Sequence, residues 1–398
     1  MRIAFLTAHF VTERLYDGGL ANYIYRVSLA LKSFGHEPEV FVCSDSNGEL
    51  IKDGIKVYRV KTNSLLKPVV NVVTFGFFDT SLKVLIRSWL LNKKLKKIHA
   101  KDPFDIVQYP HLYALSLFSP EHIHSVIRFS GYTPLLIKSL KEINLFQLQQ
   151  QSFWEDMAIG QLKDAFSPSQ LVANYVSERC NKSVPVIESP IFIETKELDY
   201  SVYEQQVKSK KYFLFFGSIS EIKGIGVIAD SIHRILEKYP EYSFVFVGRE
   251  SHKYSKKYTM KEVYEQAKPY DNRVIYINQL PHSQLYPIMK NAHLVVLPSV
   301  VDNLPNACLE AMAHECIVIG TFKTSFEDVV TDGENGFLCQ PNNSDDLIKI
   351  IDRAMHIDED KRQVIKNNAH LKSLELRPDI TVRKLLDYYV AIIKRHNK

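Results

Sequence analysis

The chain has 398 residues, more than a single hydrophobic core usually serves, so we expect two domains. Its composition, 45% hydrophobic and 24% charged residues, is that of a folded globular protein. The net charge of +5 is too small to indicate a nucleic-acid partner. Five scattered cysteines without a C-x-x-C pair favour free thiols in a reducing compartment over a disulfide framework.

The N-terminal half begins with the pattern of a parallel α/β sheet. The strand "RIAFLT" is followed by a loop with Gly18 and Gly19, and then by a helix with Ile24 and Leu31 on its apolar face. Gly35 is a natural end for this helix. Buried-strand patterns follow in "EVFVC", "DIVQYP", "SVIRFSG" and "VPVIESP". Apolar strands alternating with amphipathic helices predict a parallel sheet covered on both faces.

Nothing in this half predicts a membrane span, but one segment suggests contact with a membrane surface. The longest apolar run, "VVNVVTFGFF" at 69–78, is far shorter than the roughly 20 residues a bilayer requires. The apolar run at the N-terminus is too short for a signal peptide, so we expect a cytoplasmic protein. Residues 82–101 carry seven Lys or Arg, no acid, and Trp89. Such a helix either rests on anionic lipid or packs on the sheet with solvated lysines.

The second half repeats the plan of the first. The strand "YFLFFG", the loop "SISEIKG", the helix "IGVIADSIHRILEKY" and the strand "SFVFVG" are followed by strands in "RVIYINQL", "HLVVLPS" and "CIVIG". We therefore predict two Rossmann-like domains, residues 1–195 and 210–375, joined by a polar linker at about 193–210. A final helix covers about 378–398, after Pro378. Ligands of such sheets bind at the carboxyl ends of the strands, so we expect a site in a cleft between the two domains.

An acid pair follows the strand "HLVVLPS". Asp302 precedes a predicted helix in which Asn303 is a competent N-cap and Pro305 is tolerated in the first turn. Glu310 lies about two turns into this helix, where it could accept hydrogen bonds from sugar hydroxyls. The amides of the first turn would favour an anion. The alternative is that Glu310 is a solvated helix residue and Asp302 an ordinary turn residue.

A lysine occupies the loop after the first strand of the second half. Lys223, beside Gly224, could neutralise a phosphate, or it could be a surface lysine. Neither half has a Walker A motif or G-x-G-x-x-G, so an ATPase or a dinucleotide oxidoreductase is not indicated. The one acidic D-x-D candidate, "DED" at 358–360, lies in a charged surface helix, so no metal-dependent transferase site is indicated.

Three segments in register resemble the retaining glycosyltransferases of family 4, the glycosyl transferases group 1. They are "FFGSISEIKGIGVIADSI", "VIYINQLPHSQLYPIMKNAHLVVLPSVVDNLPNACLEAMA" and "SFEDVVTDGENGFLCQPNN". The resemblance implies a GT-B fold, in which two Rossmann-like domains face each other across a cleft and the C-terminal helix returns to the N-terminal domain. It also implies a cytoplasmic or peripheral membrane enzyme that moves a sugar from a nucleoside diphosphate sugar with retention. No metal and no cofactor besides the donor are expected.

The resemblance assigns roles to individual residues of this sequence. Glu310 matches the acid that holds the nucleotide ribose, and Asp302 matches an acid, usually glutamate, beside the donor sugar. Lys223 matches the basic residue on the diphosphate. The remaining positions matched to the donor are Gly18, Gly19, Leu280, Asn303, Leu304 and Asn306. Lys223, Asp302 and Glu310 are therefore the expected catalytic set.

The sequence departs from the family pattern at three positions. Ser218 stands where an arginine is usual, and Arg249 or Arg128 is a candidate to replace that cation unless both are surface arginines. Asp302 is one methylene shorter than the usual glutamate. Where the family often has a histidine–glycine pair, this chain has Ser130 and Gly131.

The acceptor and the pathway follow only from the resemblance. Ser130, Gly131 and the nearby His111 are the candidate residues on the acceptor side. A glycan or lipid-linked acceptor in cell-surface polysaccharide biosynthesis is the leading interpretation. The alternative, suggested by Ser218 and Ser130, is a non-catalytic nucleotide-sugar-binding or scaffold protein of a glycan assembly complex.

Overall fold

A computed structural model describes residues 1–13, 19–62, 78–139, 145–193, 197–251 and 259–396. These residues form two compact units. Of the described residues, unit 1 comprises those within 1–138, 145–190 and 378–396, and unit 2 comprises Ser139 and those within 191–377. The predicted class, α/β with two Rossmann-like domains, is confirmed.

The strands and helices follow the predicted alternation. The strands are β1 (Arg2–Thr7), β2 (Glu37–Ser44), β3 (Gly48–Lys52), β4 (Ile55–Lys61), β5 (Ile106–Pro110), β6 (Ser125–Arg128), β7 (Asp164–Phe166), β8 (Lys211–Phe216), β9 (Tyr242–Val247), β10 (Val274–Ile277), β11 (Leu294–Val296), β12 (Val318–Thr321) and β13 (Phe337–Cys339). The helices are α1 (Gly19–Ser33), α2 (Asp79–His99), α3 (Thr133–Ser139), α4 (Leu145–Gln161), α5 (Gln170–Cys180), α6 (Ser201–Gln206), α7 (Ile225–Lys238), α8 (Met260–Ala267), α9 (His282–Lys290), α10 (Asn306–Ala313), α11 (Ser344–Met355), α12 (Glu359–Leu374) and α13 (Pro378–His396). Among the described residues, no helix is both long enough and apolar enough to cross a membrane.

Unit 1 is built on a seven-stranded sheet with the order β3-β4-β2-β1-β5-β6-β7. Only the pair β3–β4 is antiparallel. The strands predicted in "RIAFLT", "EVFVC", "DIVQYP" and "SVIRFSG" are present, and their residues are almost all buried. The segment "VPVIESP" makes only a single bridge, between Val186 and Ser167, so the strand predicted there is wrong.

The C-terminal helix α13 belongs to unit 1, as expected. Tyr389 is fully buried and donates its hydroxyl hydrogen to Gln108 Oε1 of β5 at 2.5 Å. Arg395 binds Asp164 Oδ1 at 2.8 Å, on the edge strand β7. A buried aromatic anchor and an ion pair thus hold the helix on the N-terminal sheet.

Unit 2 is built on a six-stranded, all-parallel sheet with the order β10-β9-β8-β11-β12-β13. The chain enters this unit at Ile191, whose N–H donates to Leu376 O at 2.8 Å. The predicted linker 193–210 is therefore misplaced, because α6 lies within it and belongs to unit 2. Leu198 and Val202 pack against the core of unit 2 although the surrounding sequence is polar.

The order of the second sheet determines where a ligand would bind. Successive strands run outward in one direction from β8 and in the other from β11, so these neighbours flank the topological switch point. The loops that follow them meet, since Val300 N–H donates to Ile222 O at 2.9 Å. Gly224 has φ +81°, and a Cβ there would lie 1.9 Å from Pro298 O. Only glycine allows this approach.

Replacing Gly224 with alanine tests the contact. We expect G224A to lower the free energy of unfolding of unit 2 by about 3 kcal/mol, because left-handed strain adds to a backbone clash. The matched control is G333A, since Gly333 also has φ +81° but a Cβ there meets only the flexible end of Arg353. Urea denaturation measures both, and equal losses in the two variants would contradict the close approach.

Candidate functional site

Lys223 and Asp302 come together at the switch point of unit 2. Lys223 Nζ lies 2.5 Å from Asp302 Oδ2, although the residues are 79 positions apart. The lysine side chain is 32% exposed and the aspartate side chain 11%, so the pair is partly accessible. Lys223 ends a short 3₁₀ turn, Glu221–Lys223, and Gly224 caps it in the left-handed conformation. The result is one cation and one carboxylate at the carboxyl ends of adjacent strands.

The helix α10 starts later than the sequence predicts. Its first residue is Asn306 and Pro305 occupies the N-cap position, so the prediction of Asn303 as N-cap is wrong. Proline has no N–H and a fixed φ, which suits it to this end of the helix. Leu304 O accepts from Asn306 N–H at 2.9 Å. The first turn of the helix, with its N–H groups, begins three residues after Asn303.

Glu310 lies in α10 and contacts a residue that the sequence reading did not single out. His282 Nε2 is 3.8 Å from Glu310 Oε1, and the glutamate side chain is 15% exposed. His282 is the first residue of α9, two positions after Leu280. The available signal was a histidine two positions after Leu280, whose backbone the resemblance matches to the nucleobase. The structure thus links the segment that contains Leu280 to the acid assigned to the ribose.

Ser218 and Arg249 lie on two adjacent loops of unit 2. Ile219 N–H donates to Arg249 O at 3.0 Å, and Ser251 N–H donates to Ile219 O at 2.9 Å. Both Ser218 and Arg249 are exposed. The backbone of Arg249, in the loop after β9, therefore lies beside that of Ile219, next to the position where the resemblance predicts an arginine.

In unit 1, the residues predicted for the acceptor side are largely enclosed. His111 is 1% exposed, and its Nδ1 accepts a hydrogen bond from Ser130 N–H at 3.1 Å. Burial, followed by the charge of Arg128, lowers the pKa of His111 to about 3. The imidazole is therefore neutral at pH 7, and its Nε2 makes no hydrogen bond with the described residues. Gly131 follows Ser130 in the same loop.

Arg128 is enclosed in unit 1, where it contacts three separate segments of the chain. It is 5% exposed and donates to Ser130 Oγ and Ser189 Oγ, both at 2.6 Å. Its guanidinium carbon lies 3.6 Å from the centre of the Tyr23 ring. Burial lowers the pKa of this arginine. Arg128 is neither the surface residue nor the accessible cation that the sequence analysis considered, whereas Arg249 stays available.

Only part of the predicted glycine loop of unit 1 lies within the described residues. Gly19 is the first residue of α1 and is exposed, and Gly18 lies outside the described residues. Within the described ranges, no group of three or more His, Cys, Asp or Glu side chains is arranged to hold a metal ion.

A buried carboxyl group was missed by the sequence analysis because it lies mid-helix, far from any motif. Glu155 of α4 is fully buried, and its Oε1 accepts from Tyr113 N–H at 3.1 Å and from Gln151 Nε2 at 2.7 Å. Tyr113 and Ala114 have φ values of +63° and +49°, which are strained for residues other than glycine. Burial raises the pKa of Glu155 to about 7. This carboxyl group braces the turn that follows His111.

The ionisation of Glu155 predicts a dependence of stability on pH. Its folded pKa of about 7 exceeds the ordinary value of 4.5, so the folded state binds the proton more tightly and stability falls as pH rises from about 4.5 to 7. The loss is roughly 3 kcal/mol for a shift of this size. E155Q cannot ionise, so its free energy of unfolding relative to wild type should rise by a similar amount between pH 5 and pH 8.

Chemical denaturation at several pH values measures this difference, in which the contributions of the other titrating groups cancel. E178Q, at an exposed glutamate of the same unit, is the control and should show no trend. A constant difference between E155Q and wild type would contradict the burial of a titrating carboxyl.

Part of the chain, within unit 2, matches a known family of proteins. Residues 201–371 match the family described as Glycosyl transferases group 1. Over 350 residues the chain is 22% identical to a component of the phosphatidylinositol N-acetylglucosaminyltransferase of Arabidopsis thaliana, covering 85% of this chain and 72% of that protein.

Two solved structures have the same fold over nearly their whole length. Sucrose-phosphate synthase from Thermosynechococcus elongatus is similar with a TM-score of 0.77, 15% identity and 99% coverage of both chains. HepE from Anabaena, solved in complex with UDP and glucose, has a TM-score of 0.69 and 16% identity, covering 98% of this chain and all of that one. The likeness runs through both units, and the fold class is GT-B as predicted.

Proposed function

Because residues 201–371 match the family Glycosyl transferases group 1, we propose that this chain is a glycosyltransferase that uses a nucleoside diphosphate sugar and retains the anomeric configuration. The observation that carries this proposal is the Lys223–Asp302 pair at the switch point of unit 2. It offers a cation for a leaving phosphate and a carboxylate for sugar hydroxyls. Such a pair at the carboxyl ends of parallel strands suits a ligand that carries both a phosphate and sugar hydroxyl groups.

The diphosphate is the leaving group, and its developing negative charge is what the site has to stabilise. Lys223 supplies a compact charge, and the first turn of α10, near Leu304 and Asn306, supplies N–H donors and a helix dipole. We propose Arg249 as the second cation in place of the arginine missing at Ser218. Gly18 and Gly19 remain predicted contacts of the same diphosphate.

The nucleoside is proposed to lie along α9 and α10. Glu310 would accept hydrogen bonds from the ribose hydroxyls, and the backbone near Leu280 would meet the base. The contact between His282 and Glu310 supports this assignment, because it ties the two segments to one side of the site.

Retention and metal independence belong to the same proposal. With the diphosphate held by fixed cations and amides, its own charge can offset the positive charge on the sugar ring. A phosphate oxygen can also take the acceptor proton from the same face, so we propose that neither a metal nor another cofactor is required. Addition of EDTA should then leave the activity unchanged.

We propose a glycan or lipid-linked acceptor, bound on the side of unit 1 that carries His111, Ser130 and Gly131. The Arabidopsis relative supports this proposal, because its name includes the lipid phosphatidylinositol. A place in cell-surface polysaccharide biosynthesis, on the cytoplasmic side of a membrane, is the corresponding pathway proposal. His111 is buried and bonded to the backbone of Ser130, so these residues would shape this side through the turn and the loop that they hold.

A non-catalytic nucleotide-sugar-binding or scaffold protein is the second candidate. Two observations favour it: Ser218 is exposed without a family arginine, and the cation Arg128 is enclosed in unit 1. Turnover of a donor separates the two candidates, because only the enzyme hydrolyses a donor slowly when no acceptor is present.

A panel of nucleotide sugars and their diphosphates tests the donor site. We expect one nucleoside diphosphate to bind in calorimetry, and K223A and E310A each to weaken it roughly 10- to 100-fold, the effect of losing a charged hydrogen bond. Both variants should also lose slow donor hydrolysis. The control is K349A, at an exposed lysine of α11 in the same unit. Binding without hydrolysis of any donor would favour the scaffold, and unchanged binding in K223A would contradict the site.

Membrane contact through residues 82–101 is a separate part of the proposal. Trp89 is 50% exposed on α2, and Lys93 Nζ lies 4.8 Å from the centre of its ring. We expect the protein to float with vesicles that contain about 30% anionic phospholipid and to dissociate at high salt, where surface attraction is screened. Vesicles of neutral phosphatidylcholine are the control. Failure to bind anionic vesicles at low salt would end this part of the proposal.

A further inference from the structure

An apolar groove lies between the helices α2 and α4 of unit 1. Its volume is about 560 Å³, within the usual range for sites that hold small molecules. Phe78, Leu82 and Leu85 line one side, and Phe153 and Trp154 line the other. Phe78 and Phe153 are each 56% exposed, which is unusual for aromatic side chains. We call these five residues the groove.

The groove is part of a larger apolar surface. Within the described residues, half of the twelve large hydrophobic side chains that are exposed belong to this one region of unit 1. They are Phe78, Trp89, Phe118, Phe146, Phe153 and Met157. A concentration of this kind marks a contact surface and not the scattered hydrophobic residues of an ordinary exterior.

The walls of the groove are held in place by the rest of unit 1. Trp154 packs against a small buried cluster of Val84, Ala114 and Ala158. Ser81 donates to Gln150 Oε1 at 2.8 Å, which ties the two helices together. The groove is therefore preformed, and a ligand would not have to order its walls.

The face of α2 that lines the groove continues into a cationic half. Leu82, Leu85, Trp89, Lys93 and Lys96 follow one another at steps of three and four residues, the spacing of one helix face. Trp89, Lys93 and Lys96 line a second cavity of about 830 Å³, which also contains Glu121. From Leu85 to Lys96 the helix rises by about 16 Å. The face thus changes from apolar to basic over a distance comparable to a hydrocarbon chain.

We propose that this face binds an anionic membrane lipid, with one hydrocarbon chain in the groove and its phosphate at Lys93 and Lys96. The proposal deepens the membrane contact proposed above, on which it rests, by assigning an occupant to the groove. The positive charges of Lys93 and Lys96 favour an anionic occupant over a second copy of the chain, which has a net charge of +5. Within α2 the single acid, Asp79, is paired with Lys83.

The two tryptophans of the chain, Trp89 and Trp154, allow a direct test. W89F leaves Trp154 as the reporter of the groove, and W154F leaves Trp89 as the reporter of the basic half. Vesicles with about 30% phosphatidylglycerol are prepared with ordinary or brominated acyl chains, since bromine quenches indole fluorescence only on contact. We expect brominated chains to quench Trp154 in W89F strongly, and F153S in the W89F background to reduce that quenching. L371S in the same background is the matched control, at a leucine 59% exposed on α12 of unit 2.

A second pair of variants tests the headgroup. K93Q/K96Q should weaken vesicle binding about thirtyfold, the loss expected for two cations near an anionic surface. An unquenched Trp154 in protein that floats with the vesicles would overturn the proposal, since the helix would then bind by its lysines alone. A dimer in light scattering that F153S converts to monomer would also overturn it, by making a second copy the occupant. Nucleotide binding and donor hydrolysis, measured on wild type without vesicles, show separately whether the proposed transferase function fails.

Discussion

The pairing of β8 with β11 is the constraint on which the candidate site depends. Leu294 lies beside Phe213 and Val295 beside Leu214, although about eighty residues separate the strands. Because the sheet extends outward from this pair in both directions, the connections after the two strands lead away from each other and open a crevice between them. At the floor of the crevice, the hydrogen bond from Val300 N–H to Ile222 O holds the two loops together. Their close approach is possible because Gly224 has no side chain. The Lys223–Asp302 pair is a consequence of this packing.

The two units use the carboxyl ends of their strands differently. In unit 2 the polar groups at this edge are partly exposed, so they can exchange their partners for a ligand. In unit 1, His111 and Arg128 at the ends of β5 and β6 are enclosed, and so is Glu155 of α4, which lies behind the turn after His111. His111 and Glu155 accept hydrogen bonds from backbone N–H groups, and Arg128 donates to serine hydroxyls. Burial disfavours the charged form of an ionisable group, so it lowers the pKa of His111 and raises that of Glu155. These two groups therefore act on the local shape of the backbone in unit 1 and not as exposed charges for a ligand.

The sequence predicted well what depends on patterns along the chain. Continuous apolar strands, the helix α1 ending before Gly35, and the C-terminal helix after Pro378 were all found because hydrophobic period and punctuation are local signals. Loop positions singled out Lys223 and Asp302, and the resemblance gave the reason to expect them in one site; the structure brings the two side chains into contact, and their roles stay predictions. The start of α10 was missed because Asn303 has capping chemistry, while the tertiary position of the loop decides where the helix begins.

What the sequence could not predict are the contacts that only folding creates. Arg128 looks like any arginine near a strand end, and its enclosure by Tyr23, Ser130 and Ser189 depends on three separate segments. Glu155 lies in a helix without a motif, so nothing along the chain distinguishes it from a solvated glutamate. The linker predicted at about 193–210 is misplaced because the few apolar side chains of this polar stretch, such as Leu198 and Val202, pack on unit 2 but have no periodic spacing.

The ion pair at the switch point also limits what the donor can be. Lys223 and Asp302 satisfy each other at 2.5 Å while the aspartate is only 11% exposed. A diphosphate that takes up Lys223 would leave this carboxylate nearly buried and short of a partner, which costs more than losing the pair itself. Under the proposed function, the hydroxyl groups of the donor sugar would return hydrogen bonds to Asp302. Because aspartate is one methylene shorter than glutamate, those hydroxyls would lie closer to the loop after β11 than with a glutamate at this position. The need to keep a nearly buried acid paired would then contribute to discrimination among sugars.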